Sequence, residues 1–353
     1  MAKKYDGVQR ESTRRTEQSD ISDLAHLSKR VKHSSLSESS KFEYGNMEPD
    51  RVDPGQRENF KLTCPKIKDH DKFIPIAEFK NEDLPVEYQS TDLIQSVMAL
   101  ADLTVRVRCK YTSSSRPKVH QASGTVYPFY RDRGRNNIIR TGTGRVWHVM
   151  MLENSGEPCS CHRCEGTKTR QGRITILTAT HVVFNSSEAR ATSVDFFFDD
   201  ESRSSCVTLK AEEVYVADAV SDRCYFDCYT CDVELLQKLS KIWIKWLTLC
   251  KTVREEHQNS EAEIKLAIMV AHPHGLPKQV SVGRWFEIQD SVDSVHFYTY
   301  DCPTCPGSSG AYVYTLARQG WWSNHVHSGA NLSLNYSGSG IDWGWCTVAA
   351  STT

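Results

Sequence analysis

The chain has 353 residues, enough for one large domain or two medium ones, and its formal net charge is -1. Such a balanced charge creates no field that attracts nucleic acids or anionic membranes, so neither is expected as a partner. The sequence contains no run of about 18 apolar residues, and its start, "MAKKYDGVQRESTRR", lacks the apolar centre of a secretory signal. We therefore expect a cytoplasmic protein whose 13 cysteines are mostly reduced thiols.

The N-terminal part of the chain differs in composition from the rest. Residues 1–60 are rich in serine and charged residues, contain no Cys or Trp, and show no sustained hydrophobic period. This composition is typical of a disordered tail, although 21–31 has the spacing of a transient amphipathic helix. Residues 61–100 are predicted to form a transition segment that ends in a short helix, from Leu93 to Ala101, capped by Asp92.

After this helix the chain consists mostly of short β-branched and aromatic runs separated by Gly, Pro, Asn and Asp. An alternating strand at Leu103–Cys109 is followed by about ten more runs, at 136–152, 172–184, 193–200, 212–220, 223–236, 264–273, 279–288, 294–302, 310–317 and 324–338. The pattern predicts an all-β sandwich or a pair of barrels. Apolar residues at 235, 239, 242, 243, 246, 247 and 250 instead have helical spacing, which predicts an inserted helix at about 235–258.

The stretch "CPTCPGSSG" is the strongest candidate for a reactive site. Acyl transfer by a hydroxyl requires a nucleophile, a base, and amide donors for the oxyanion. Ser309 can supply the hydroxyl, and the N–H groups of Gly307 and Ser309 can converge on one oxygen because glycine permits a tight turn. The candidate base is His181, which ends the apolar strand "ITILTATH". The candidate orienting carboxylate is Asp232 in "CDVELL", with Asp227 as the alternative.

The order His181, Asp232, Ser309, in the frames "TATHV", "DVELL" and "GSSGAYVY", resembles that of the trypsin-like (chymotrypsin-fold) serine peptidases. The stretches "IMVAHPHGLPKQVSVGRW" and "HVHSGA" are similar to the strand before the nucleophile turn and to the strand that lines the primary specificity pocket. The resemblance implies two antiparallel six-stranded-type β-barrels, at about 101–235 and 260–350, with the active site between them. It also implies a serine endopeptidase that acts on a protein or peptide substrate and requires no cofactor for catalysis.

Three further positions bear on activation and specificity. Ser308 stands where secreted trypsins have an aspartate that pairs with a newly cut N-terminus, so activation by such a cleavage is not expected. Thr304 and His327, with Gly329 close by, resemble the residues with which bacterial glutamyl endopeptidases hold an acidic side chain. Because a hydroxyl and an imidazole are suitable donors to a carboxylate, the resemblance predicts cleavage after Glu or Asp. The alternative is that His327 is an ordinary polar strand residue.

The loop "EPCSCHRCEG" contains a dense group of cysteines. Cys159, Cys161 and Cys164 have a spacing that suits three ligands of a structural zinc ion. The fourth ligand is expected from one of three candidates, His162, Cys224 or Cys228. The stretch "CYFDCYTC" or the cysteine pair in "CPTC" could add ligands if folding brings them together. Free thiols or local disulfides are the alternative.

Two other functions remain open. The first is a catalytically inactive scaffold or peptide-binding protein on the same fold; the complete set of histidine, aspartate and serine argues against it. The second is a zinc-dependent nucleic-acid binder, which is disfavoured because the sequence has no basic stripe or base-stacking motif.

Overall fold

The computed structural model describes residues 46–47, 50–52, 64–121, 124–153, 155–161, 164, 166–257, 265–290, 296–316, 322–330, 334–340 and 342–343. The strands are β1 (Asn46–Met47), β2 (Asp50–Val52), β3 (Ile74–Pro75), β4 (Thr104–Cys109), β5 (Ile139–Met151), β6 (Gly172–Thr178), β7 (Thr192–Phe196), β8 (Val207–Asp218), β9 (Arg223–Thr230), β10 (Leu266–Ala271), β11 (Gln279–Asp290), β12 (His296–Tyr300), β13 (Val313–Thr315), β14 (Trp322–Ser323), β15 (His327–Ala330), β16 (Asn335–Ser337) and β17 (Asp342–Trp343). The α-helices are α1 (Thr91–Leu103), α2 (Ser186–Ala189) and α3 (Val233–His257). Short 3-10 helices lie at Ile67–Lys72, Asn81–Asp83, Val86–Tyr88, Tyr130–Asp132 and Pro273–Gly275.

The first barrel is a closed antiparallel sheet of six strands. Its order is β5-β4-β7-β8-β9-β6, and the pairing of β5 with β6 closes it. Apolar side chains from facing strands fill its interior, and those of Val105, Val107, Ile174, Ile176 and Phe226 are fully buried. Closure leaves this barrel with no open edge, which fixes the strand ends around its rim.

The second barrel is a half-barrel. Its strands follow the antiparallel order β15-β16-β12-β11-β10-β13. A bridge between Tyr312 and Val326 connects the two ends of this path. The core contains the buried side chains of Met269, Trp285 and Tyr298. The prediction of an all-β fold with two antiparallel barrels and an inserted helix is confirmed.

Two short strands fall inside the segment 1–60 that was predicted to be a disordered tail. β1 pairs with β15 at the edge of the second barrel's sheet, and β2 pairs with the start of β5, ahead of the part of β5 that pairs with β6. That prediction is wrong for these five residues, because strands of two or three residues are too short to produce a hydrophobic period. The rest of 1–60, including the possible helix at 21–31, lies outside the described residues.

Helices α1 and α3 pack against each other beside the second barrel. α1 begins at an N-cap formed by Ser90, whose hydroxyl accepts from Leu93 N–H at 3.0 Å; the predicted cap, Asp92, lies inside the first turn. The hydroxyl of Ser96 on α1 lies 3.3 Å from Tyr314 of β13 and 3.6 Å from Cys250 Sγ of α3. No helix in the described part of the chain is long and apolar enough to span a membrane.

The long helix α3 also contacts the strand that follows the candidate nucleophile. Trp246 packs edge-on against Tyr312, with ring centroids 5.7 Å apart. The guanidinium of Arg145 from β5 lies over both rings, 4.6 Å and 4.0 Å from their centroids. Burial lowers the pKa of Arg145, and the two aromatic faces partly offset its lost hydration. The inserted helix therefore braces the junction of the two barrels.

Candidate active site

The imidazole of His181 lies in the seam between the two barrels, three residues after β6, and is fully buried. Its Nδ1 atom is 2.7 Å from Asp222 Oδ2, and its backbone N–H donates to Asp222 Oδ1 at 2.9 Å. A carboxylate accepts hydrogen bonds, so Nδ1 carries the proton and Nε2 is the basic nitrogen. Within the described residues Nε2 has no hydrogen-bond partner. The ring is thus fixed in tautomer and orientation, while its proton acceptor is unused.

Asp222 is held by contacts from both barrels. It lies in the turn between β8 and β9 with φ of 53°, in the left-handed region that aspartate tolerates better than most residues. Its carbonyl accepts from Thr180 N–H at 3.3 Å. The hydroxyl of Ser328, on β15 of the second barrel, donates to Asp222 Oδ2 at 2.5 Å. The carboxylate is therefore positioned from both sides of the seam.

Asp232, which was predicted to orient His181, lies at the opposite end of the first barrel, and that prediction is wrong. The antiparallel register of β6 and β9 sets Thr178 opposite Cys224 and Gly172 opposite Thr230. Asp222 precedes β9 and is therefore next to the end of β6 that leads to His181. Asp232 follows β9 and lies beyond the start of β6, about six residue steps or roughly 20 Å away.

Both carboxylates that the sequence suggested have other contacts. Asp232 Oδ1 accepts from Leu235 N–H at 3.0 Å and so caps the first turn of α3. Asp227, the alternative, lies within β9, where Thr175 Oγ1 donates to it at 2.5 Å and Arg173 lies 3.6 Å away. Burial raises the pKa of Asp227. Asp232 therefore caps a helix, and Asp227 bonds to a neighbouring strand of the barrel.

Ser309 lies in the same seam as His181 and is fully buried. Its carbonyl accepts from Thr143 N–H of the first barrel at 2.8 Å. The next residue, Gly310, has φ of 87°, and a Cβ on it would overlap Thr143 O and lie 2.9 Å from Ala179 N. Only glycine fits there. Its close approach places residues 305–310, the nucleophile turn, against the segment that contains His181.

The backbone at Gly307 is held in a conformation that only glycine can adopt. Gly307 has φ of 98°, and a Cβ there would lie 2.5 Å from His272 O, so a side chain cannot be accommodated. Its carbonyl is held by Thr143 Oγ1, which donates at 2.8 Å. Ser308 N–H donates to Cys305 O at 2.9 Å, whereas the Gly307 amide donates to no acceptor in the described part of the chain. A fixed amide with no internal acceptor is a suitable donor to developing negative charge.

A buried neutral histidine, His272, packs against the turn at Gly307. His272 is fully buried, and burial lowers its pKa to about 3. Its Nδ1 lies 2.8 Å from Leu276 O, and its ring stacks on Phe198 with centroids 5.8 Å apart. An uncharged imidazole is the form that this environment tolerates.

The residues predicted to bind the substrate side chain lie in two groups of hydrogen bonds that the pairing of β12 with β16 brings together. Thr304 Oγ1 donates to Asn335 Oδ1 at 2.8 Å and accepts from Lys66 Nζ at 2.8 Å. Tyr300, which is opposite Asn335 in the pairing of β12 with β16, has its hydroxyl 2.6 Å from His327 Nδ1. Gly329 lies on β15, two residues after His327. Sequence reasoning missed Lys66, because a lysine in a proline-containing transition segment matches no motif.

Four cysteines converge at the end of the first barrel that is remote from His181. Cys159, Cys161 and Cys164 from the β5–β6 loop meet Cys231, which lies between β9 and α3, and the four Sγ atoms are all within 4.8 Å of one another. Cys161 Sγ is 3.5 Å from Cys164 Sγ and 3.6 Å from Cys231 Sγ.

Two of the three predicted fourth ligands do not join this cluster. Cys224 and Cys228 are fully buried inside β9, so neither is available to the loop, and the prediction that one of them completes the set is wrong. His162 lies outside the described residues. Cys302 donates its thiol to Ala267 O at 3.3 Å, and Cys305 belongs to a different group of side chains.

The strand order and the seam are those of a chymotrypsin-like fold. No family model matches the chain, and no curated protein matches it significantly. Among solved structures the chain is similar to Deg5, with 10% identity and a TM-score of 0.38 over 74% of this chain and 91% of that one. It is also similar to the HtrA-type protease AlgW with a decapeptide, with 12% identity and a TM-score of 0.36 over 72% and 63% of the two chains. The active form of the Rv3671c protease from M. tuberculosis gives 13% identity and a TM-score of 0.35 over 70% and 81%.

Proposed function

We propose that this protein is a serine endopeptidase that hydrolyses peptide bonds with Ser309, His181 and Asp222. The observation that carries the proposal is the buried pair of His181 Nδ1 and Asp222 Oδ2, 2.7 Å apart, with Nε2 of the same ring unpaired within the described residues. The carboxylate partner distinguishes His181 from the buried His272, whose Nε2 is also unpaired within the described residues but whose Nδ1 lies against the backbone carbonyl of Leu276. A proton acceptor kept available in a seam fits general-base catalysis.

The proposed reaction follows from the roles of these groups. His181 Nε2 takes the proton of the Ser309 hydroxyl as Oγ attacks the substrate carbonyl, and Asp222 stabilises the resulting imidazolium. The N–H groups of Gly307 and Ser309 donate to the tetrahedral oxyanion. His181 then gives its proton to the leaving amine. Water, activated by the same base, hydrolyses the acyl-enzyme and regenerates the Ser309 hydroxyl.

The seam is closed in this structure. His181 and Ser309 both have 0% exposed surface, so a polypeptide cannot reach the hydroxyl unless covering residues move. This closure is also the observation that favours the second candidate function, an inactive scaffold on the same fold. The two functions differ in one property, since only an enzyme must reach an open state in which Ser309 reacts.

Active-site labelling with a fluorophosphonate distinguishes the two functions. We expect the probe to modify Ser309, as located by peptide mapping, and to leave the Ser309→Ala variant unlabelled. The neighbouring Ser308→Ala variant is the matched control and should retain labelling. Folded protein that is not labelled over a range of temperatures and mild denaturant concentrations would favour the scaffold.

We further propose that the pocket at Thr304 and His327 selects glutamate or aspartate on the acyl side of the cleaved bond. The ammonium of Lys66, 2.8 Å from Thr304 Oγ1, adds a positive charge beside the Thr304 hydroxyl. A charge-assisted hydrogen bond to a carboxylate is stronger than one to a neutral amide. Lys66 therefore favours a substrate Glu over a substrate Gln of nearly equal size.

Peptide-library profiling tests this preference. We expect cleavage after Glu or Asp, and the Lys66→Met variant should lose at least about tenfold in its preference for Glu over Gln, which corresponds to one charge-assisted hydrogen bond. Lys68→Met, at an exposed position two residues away, is the control. A preference for basic or large aromatic residues would refute the assignment.

We also propose that Cys159, Cys161, Cys164 and Cys231 bind a structural zinc ion. The Cys161 N–H group lies 3.5 Å from Cys159 Sγ, and such amide contacts stabilise a metal-bound thiolate. Four sulfur ligands make a closed tetrahedral site, the kind used for structure. The ion would tie the β5–β6 loop to the start of α3, and catalysis itself would need no cofactor.

A further inference from the structure

A second group of metal-ligand side chains lies next to the nucleophile turn. Cys64 and His70 come from the segment before β3, His274 from the 3-10 turn after β10, and Cys305 from the turn that leads to Ser309. One potential ligand atom of each of the four lies within 4.8 Å of those of the other three. No short sequence motif unites them, since more than 200 residues separate the first pair from the second.

The distances within this group fit coordination of one ion. The sulfur atoms of Cys64 and Cys305 are 3.8 Å apart, and the Nε2 atoms of His70 and His274 are 3.3 Å apart. With zinc–sulfur bonds of about 2.3 Å and zinc–nitrogen bonds of about 2.0–2.1 Å, tetrahedral geometry separates two sulfurs by about 3.8 Å and two nitrogens by about 3.3 Å. A disulfide would instead require sulfurs about 2.0 Å apart.

The surroundings of the four side chains also suit a metal. Cys64 is 7% exposed and Cys305 fully buried, so two thiolates there need a compensating positive charge. A divalent cation with two thiolates and two neutral imidazoles has no net charge. The N–H group of Lys66 lies 3.4 Å from Cys64 Sγ, a contact that stabilises sulfur carrying negative charge.

The backbone of His274 supports the same conclusion. Its φ of 56° places it in the left-handed region, which is uncommon for a residue other than glycine. Its N–H donates to Pro306 O at 2.6 Å, so the nucleophile turn holds it in this conformation. The unusual conformation presents the imidazole to the other three side chains, and such conformations are retained mainly at functional positions.

We propose that Cys64, His70, His274 and Cys305 form a tetrahedral zinc site that clamps the segment 64–72 to the nucleophile turn. This second site is separate from the four-cysteine cluster and does not depend on the proposed peptidase activity. Where that activity holds, the ion braces the turn that contains Gly307. It also fixes Lys66 against Thr304, because Lys66 lies between two ligands.

Zinc content measured on protein purified without chelators tests the proposal. We expect two zinc ions per chain in the wild type, and one after His70→Ala or after Cys159→Ser, because each variant empties a different site. His70→Cys should retain both ions, since a thiolate replaces the imidazole. Asp71→Ala, at an exposed neighbour in the same 3-10 helix, is the matched control and should also retain both.

A second readout reports the ligand set directly. Cobalt bound to the Cys159→Ser protein should show the intense visible bands of tetrahedral coordination and a thiolate-to-cobalt band, both lost in the double variant with His70→Ala. Trypsin should then cleave the double variant after Lys68 or Lys72 faster than the single variant. Folded wild type with zinc only at the four-cysteine cluster, or with a disulfide between Cys64 and Cys305, would overturn the proposal.

Discussion

The two ends of the β6–β9 strand pair carry similar residues and serve different purposes. At one end Asp222 holds His181 in the seam between the barrels, and at the other Asp232 caps α3 beside the four-cysteine cluster. Both aspartates flank the same strand, so their local sequences do not distinguish them. The antiparallel register does, because it decides which end of β9 is next to which end of β6.

The largest expected difference between the two ends is in catalysis. Asp222→Asn should lower kcat by about 10⁴-fold, the loss typical of this change in a Ser-His-Asp triad, because the imidazole then takes the wrong tautomer. Asp232→Asn should leave kcat unchanged within a few-fold. Steady-state kinetics on a peptide substrate, with circular dichroism as a check of folding, measures both. Equal losses of kcat in the two variants would contradict the assignment of Asp222, and not Asp232, to the site of His181.

Glycine substitutions compare the packing at the two ends. Gly310→Ala should lower the free energy of unfolding by about 3–5 kcal/mol, because its Cβ would overlap the backbone oxygen of Thr143 at a φ of 87°. Gly172→Ala should lower it by about 1–3 kcal/mol, since its Cβ would overlap the side-chain end of Leu236 on α3 and lie 2.8 Å from Met150 O, with no left-handed φ to add strain. Urea unfolding measures both. A larger effect at Gly172 would contradict the claim that the backbone is packed more tightly at Gly310.

His272, at the seam end, should contribute measurably to the pH dependence of stability. Burial, helped by the charges of Lys278 and Arg106, lowers the pKa of His272 from 6.5 to about 3 in the folded state. The unfolded chain therefore binds a proton that the folded protein does not. The contribution of His272 to the free energy of unfolding is therefore complete above pH 6.5 and is lost as the pH drops toward 3. The loss between pH 7 and pH 5 is about 2 kcal/mol.

The variant His272→Asn provides the matched control for this effect. Its side-chain amide can still donate to Leu276 O but does not titrate, so the loss of stability between pH 7 and pH 5 should shrink by the same amount. Urea unfolding at the two pH values measures it. An unchanged pH dependence would show that His272 does not carry the effect.

The smallest expected effect is at the helix cap. Asp232→Ala should lower the free energy of unfolding by about 1 kcal/mol, because Leu235 N–H loses its acceptor. Asp232→Ser should recover most of this loss, since a serine hydroxyl can cap the same N–H group. Thermal unfolding followed by circular dichroism measures the difference. A loss far above that of a cap would mean that Asp232 also supports the neighbouring cysteine cluster.

Periodic segments of the sequence predicted their elements well. The helical spacing from 235 to 250 corresponds to α3, and the apolar run that starts at 172 corresponds to β6. These segments are predictable because one face or a whole strand is buried, which imposes a period on the residue types. β1 and β2 have two and three residues, and the pairing that brings them to β15 and β5 is not local.

The candidate site was predictable only in part, for the same reason. Ser309 and Gly307 lie within one turn, so their relation is visible in a few letters of sequence. The partner of His181 depends on strand pairing, and a usable signal was the aspartate in the "SDR" turn immediately before the strand that pairs with β6. Cys231 and Cys64 likewise join their clusters through tertiary contacts that leave no spacing pattern.

The most direct test of the central claim, that Asp222 and not Asp232 holds His181, is proton NMR of the imidazole N–H. A proton shared between Nδ1 and a carboxylate resonates well downfield of the backbone amides, and the His181→Gln variant assigns it. The signal should disappear in Asp222→Asn and persist in Asp232→Asn. A signal that survives Asp222→Asn and is lost in Asp232→Asn would contradict the account.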